Sequence, residues 1–146
     1  MDYKIKYLKY KNKYLELKKN LVGGEVNACL LENINSILSA FKNKNFTKDD
    51  VTSMIKLMHN MKYAEFENHM RQIIITTYNI ISLLPVWYVR ITGNCNKCSQ
   101  KMKIFDKDED NKYYYCDKCN NLYTFTNIDI DPNVIINDFT NFIKSN

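Results

Sequence analysis

Residues 94–119 read NCNKCSQKMKIFDKDEDNKYYYCDKC. Two Cys-x-x-Cys pairs, Cys95/Cys98 and Cys116/Cys119, stand seventeen residues apart, and the chain holds only one further cysteine, Cys29. Cysteines in such pairs bind metal, run thiol–disulfide exchange, or cross-link. Exchange chemistry wants one Cys-x-x-Cys at the start of a helix in a βαβ setting. Here the neighbouring runs KMKIF, KYYY and LYTFTNI are short and rich in β-branched and aromatic residues, which reads as strands. A two-residue gap lets both thiolates of a pair face one point about 2.3 Å from an ion, and a hairpin brings the second pair opposite the first. The spacing therefore predicts a four-cysteine site for one structural Zn2+ per chain. Four thiolates leave no open coordination position, so the expected protein is not an enzyme and no catalytic residue is assigned.

The energetics point the same way. A few short strands bury little core, whereas a structural zinc contributes an apparent ~10–16 kcal/mol to folding. Cys29 falls on the apolar face of a helical pattern and reads as an inert core residue. His59 and His69 lie in helical stretches without a cysteine nearby, so neither is taken as a ligand.

Moving outward, Thr47 and Asp50 form a capping-box pattern ahead of Val51, Met54, Ile55 and Met58, which predicts a helix. A further helix is expected from about Ala64 to Leu84, stopped by Pro85. VWYVRIT, 86–92, reads as a strand opening the ribbon. Asp131 and Pro132 open a C-terminal helix. The fold class is thus α+β: a basic N-terminal helix at 1–24, a small helical unit at 25–85, a three-stranded antiparallel zinc ribbon at 86–130, and a short helix at 131–146.

In 1–24 the residues Tyr3, Tyr7, Tyr10, Tyr14, Leu17 and Leu21 advance by fours and threes, a heptad seam that Gly23 and Gly24 end. Lys4, Lys6, Lys9, Lys11, Lys13, Lys18 and Lys19 against Asp2 and Glu16 give this segment +5, equal to the formal charge of the whole chain. Residues 25–146 are therefore neutral, and any contact with nucleic acid is expected through those seven lysines. Elsewhere the composition is skewed toward Lys, Asn, Ile and Tyr, residues with AT-rich codons, which weakens any charge or aromatic stripe as a signal.

The lysine-studded first twenty residues lack the apolar core of a secretory signal, so secretion is not expected. The longest uncharged run, 72–89, is interrupted by Gln72, Thr76, Thr77, Asn79, Ser82 and Pro85, which argues against a membrane span. A reducing compartment follows, where paired cysteines more often bind metal than each other.

Two resemblances extend this reading. Residues 1–24 resemble the lysine- and tyrosine-rich opening shared by many proteins of mimivirus-type giant viruses. Residues 94–126 resemble zinc ribbons of the transcription apparatus, including those of RNA polymerase small subunits and poxvirus-like viral late transcription factors. The shared points are the four cysteines, Met102 after the first pair, a charged turn, and Tyr113 and Tyr115 before the second pair. The chain departs from both families, lacking a second ribbon and ending soon after the first. The resemblance implies a transcription-associated protein that docks on RNA polymerase or transcription factors, in the viral factory of the host cytoplasm or in the virion. The alternative is a structural or packaged virion protein whose ribbon only stabilises the fold. Asp108 and Glu109 occupy the place of the acidic pair in S-II-type elongation factors, but the preceding Arg-Ser-Ala is missing, so they read as a solvated turn. Strand aromatics such as Phe105, Tyr113 and Tyr115 read as core or protein-docking surface ahead of base stacking.

Overall fold

A computed structural model of the chain describes residues 33–146. The basic segment 1–24, its seven lysines and Cys29 lie outside the described residues. Helix 33–42 (α1) is followed by α2 (Lys48–Met58), α3 (Tyr63–Ile73), α4 (Tyr78–Ile81) and α5 (Leu84–Thr92). Strands β1 (Lys103–Asp106), β2 (Asn111–Cys116) and β3 (Asn121–Thr126) form an antiparallel sheet in the order β1-β2-β3, and α6 (Pro132–Ser145) closes the chain. The fold is α+β, and Ile37–Asn146 form one compact unit.

The capping box at α2 is present: the Thr47 side chain accepts from the Asp50 N–H, and the Asp50 carboxylate accepts from the Thr47 N–H. Val51, Met54 and Met58 of α2, Phe66 and Met70 of α3, Leu84 and Tyr88 of α5, and Phe139 and Ile143 of α6 are fully buried. Tyr88 is tied down by its hydroxyl, which donates to the Met61 carbonyl at 2.6 Å. A buried phenol needs such a partner. Asp131 caps α6, its carboxylate accepting from the N–H groups of Asn133 and Val134.

Two expectations fail. The helix expected from Ala64 to Leu84 is three pieces: α3 ends at Ile73, Ile74 is extended, and Thr77 caps the short α4 by accepting from the Ile80 N–H. VWYVRIT is helical, not a strand. Pro85 stands in the first turn of α5, where its fixed φ suits a helix start and its missing N–H costs nothing. Strand propensity in this run gives way to packing, because Leu84, Tyr88, Val89, Ile91 and Thr92 are all buried in the helical arrangement. Gly93 ends α5 at φ 70, donating to the Val89 carbonyl at 2.8 Å.

The register gives the sheet two unlike faces. Tyr114, Cys116 and Phe125 point inward and join Val89, Cys95 and Met102 in one buried cluster. Phe105 pairs with Tyr113, and Tyr115 with Leu122, on the opposite face, where Phe105 and Leu122 are each 54% exposed.

Candidate metal centre

The first cysteine pair follows α5 directly. Beyond Gly93 the chain folds into a small hairpin. The Cys95 N–H donates to the Gln100 carbonyl at 2.8 Å, the Ser99 N–H to the Cys95 carbonyl at 2.7 Å, and the Met102 N–H to the Gly93 carbonyl at 2.9 Å. The second pair forms the turn between β2 and β3. In both turns the residue after the second cysteine is left-handed, Ser99 at φ 62 and Asn120 at φ 51. Neither is glycine, so each conformation needs support. Ser99 has it, because its hydroxyl accepts from the Tyr63 N–H at 3.0 Å.

The sulfur atoms of Cys95, Cys98, Cys116 and Cys119 all lie within 4.8 Å of one another. Cys98 and Cys116 approach to 3.6 Å. The edge of a tetrahedron of sulfurs around a zinc-sized ion is about 3.8 Å, whereas a disulfide needs about 2.05 Å. These four cysteines can therefore hold a metal ion, and they are the set expected from the spacing. Among the described residues no other cluster of His, Cys, Asp and Glu is placed to do so. His59 and His69 do not join it.

A set of hydrogen bonds converges on Cys95, which is buried. Asn121, itself buried, donates from Nδ2 to Cys95 Sγ at 3.3 Å and to Asn96 Oδ1 at 2.6 Å. Tyr123 Oη donates to the same Asn96 oxygen at 3.3 Å, and the Lys97 N–H points at Cys95 Sγ at 3.4 Å. Burial pushes the Cys95 thiol up, but the donors from Asn121, Cys98 and Lys97 prevail and bring it down to about 7. Cys119 moves the other way, pushed up to about 12 by desolvation and by hydrogen bonding to the other thiols. Desolvation also raises Cys116. Four sulfurs this close cannot all ionise without a cation between them, which is the electrostatic demand a divalent metal answers.

Asn121, Asn96, Tyr123 and Ser99 carry no signal of these roles in the sequence. In a chain with twenty asparagines, no local pattern marks the one that reaches a sulfur. The acidic turn is exposed: Asp108 accepts from the Asp110 N–H and Asn111 Nδ2, bonds that hold its carboxyl below the usual range.

No protein-family model, curated protein or solved structure matches this chain. Among the described residues, no helix is long and apolar enough to cross a membrane.

Proposed function

We propose that the four cysteines hold one structural Zn2+ and that the chain is a non-enzymatic zinc-ribbon protein of a giant virus. In this reading it docks on RNA polymerase or its transcription factors, in the viral factory or the virion. The bound ion neutralises the thiolates and pins the two turns of the ribbon together.

The outer sheet face carries the docking part of the proposal. Tyr114 and Phe125 fill the core, while Phe105, Tyr113, Tyr115 and Leu122 line a shallow apolar depression open to solvent. A ribbon that needed its aromatics only for stability would turn them inward. Protein-docking patches are enriched in such residues. The charge balance supports a protein partner for this face over a phosphate backbone, since the +5 of the chain resides in 1–24. The seven lysines there remain the candidate contact to nucleic acid.

Tagging the protein in infected cells and identifying what co-purifies tests the reading. Polymerase subunits or transcription factors are the expected companions. Capsid or core proteins in their place would make it a structural component of the virion.

A further inference from the structure

Strand β1 is an edge of the sheet, and all four of its residues are exposed. Its hydrogen-bonding parity follows from two flanking bonds. Lys107 N–H donates inward to the Asn111 carbonyl at 3.0 Å, whereas Met102 N–H donates to Gly93, on the side away from β2. Residues 103, 105 and 107 therefore bond to β2, and 102, 104 and 106 face outward. The cysteine hairpin covers the edge as far as Met102, where Asn94 bridges Lys101. From Ile104 onward, nothing among the described residues pairs with it. The N–H and C=O groups of Ile104 and Asp106 form an open ladder.

The edge is also electrically polar. Lys101 and Lys103 stand at its start, while Asp106, Asp108, Glu109 and Asp110, with Lys107 among them, stand at its end and in the following turn. A parallel neighbour of like sequence would meet like charge. An antiparallel copy would bring the basic start of one strand to the net acidic end and turn of the other.

We propose that β1 pairs antiparallel with β1 of a second copy of this chain, about a two-fold axis at Phe105. The register follows from the outward groups. With Phe105 on the axis, Ile104 of each copy lies opposite Asp106 of the other, and four main-chain hydrogen bonds form. A shift that puts Ile104 opposite itself would pair Asp106 with Met102, whose N–H already serves Gly93. In the favoured register the two Phe105 rings meet in a close, non-hydrogen-bonded pair. Lys101 of one copy comes toward Glu109 of the other. Lys103 and Lys107 also face each other across the axis, but each is engaged within its own chain. Lys103 is bonded to Asp117 at 2.9 Å, and the Lys107 ammonium lies 5.3 Å from the Tyr113 ring centre. Beside Ile104 lies a groove of about 280 Å³, walled by Ile91, Ile130 and Ile135. The product is a continuous six-stranded sheet with one aromatic outer face. This pairing does not depend on which metal the cysteines hold.

Sedimentation of the full-length, metal-loaded chain is the test. The wild type should shift with concentration toward twice the 17.4 kDa chain mass, and salt should weaken the dimer. Ile104→Pro removes only an outward N–H, a substitution edge strands tolerate. It should sediment at the chain mass at all concentrations while keeping its near-UV circular dichroism. If that variant loses its fold, Phe105→Glu, a change at an exposed site, decides in its place. Lys101→Glu should weaken the dimer and Lys101→Glu with Glu109→Lys should restore it. A wild type that stays monomeric, or a dimer that survives the edge substitutions, overturns the proposal.

Discussion

Asn121 Nδ2 lies 3.3 Å from Cys95 Sγ and 2.6 Å from Asn96 Oδ1, so one buried amide at the start of β3 holds both residues of the opposite cysteine turn. The ribbon is thus closed by a side chain as well as by sulfur. An N–H donor to a metal-bound thiolate withdraws charge from the sulfur and fixes its direction, and outer partners of this kind are worth about 10–100-fold in metal affinity.

Asn121→Leu should therefore weaken Zn2+ binding by about that factor, measured by competition with a chelating dye. Substituting Co2+ gives a second readout. Loss of the donor should move the thiolate-to-cobalt charge-transfer band to lower energy. An unchanged band with lowered thermal stability would mean that Asn121 only packs.

Metal uptake should release protons in a pH-dependent number. Near pH 7, Cys116 and Cys119 each give up a whole proton, because both thiols are raised. Cys95, at about 7, gives about half of one. Its value in the fold lies below its ordinary 9.0, so its ionisation stabilises the metal-free fold fully above pH 9 and ceases to as pH falls through 7. Calorimetric titration in buffers of different ionisation enthalpy should find the Cys95 share shrinking from pH 6 to pH 8. A constant count over that range would show that the metal-free chain has lost the Asn121 contact.

The parts legible in the sequence are those fixed by short-range chemistry. Four cysteines at ribbon spacing, the Thr47–Asp50 box and the Asp131–Pro132 start each specify a local geometry that needs no distant partner. The failures have the opposite character. VWYVRIT carries strand-forming residues, and only burial of Tyr88 among the helices and of Val89 against the sheet makes it α5. The break from Ile74 to Thr77 holds neither glycine nor proline, and its one local mark is the Thr77 cap. Ser99 and Asn120 take left-handed backbone where glycine would have been the visible signal.

Arg90 belongs to this second kind, since its role depends on three distant groups. It donates from Nε to the Asp129 carbonyl at 2.6 Å and from a terminal nitrogen to Asp138 at 2.7 Å, and it lies 5.1 Å from the Trp87 ring centre. It thereby joins α5 to the segment after β3 and to α6. The Arg90 side chain is only 12% exposed, whereas Asp138 is 40% exposed, which places the cost of Arg90→Ala near ~2 kcal/mol, below that of a fully buried pair. Denaturant unfolding should show a lower midpoint at unchanged slope. Arg90→Lys should rescue little, because one ammonium cannot reach both acceptors and the ring.

The cysteine turns are also bonded to the helices, and this decides what happens when the metal is lost. A division of the chain at Pro85 would let the ribbon unfold alone after Cys116→Ser, with proteolysis confined beyond that proline. The contacts argue otherwise. Cys95 and Cys116 share a buried cluster with Val89 of α5, Met102 is bonded to Gly93 at the end of that helix, and the Tyr63 N–H at the start of α3 is bonded to Ser99. Replacing Cys116 by Ser should remove most of what an ion held by the four cysteines contributes to folding, and α5 should then lose the face it packs against the ribbon. We expect α5 and the first turn of α3 to loosen together with the strands, while α2 keeps its capping box. Early cleavage should appear between Leu84 and Thr92 as well as within 94–126, with a fall in helical circular dichroism larger than ribbon loss alone would give. Cleavage restricted to 94–126, with the helical signal intact, would show that the helices stand without the metal.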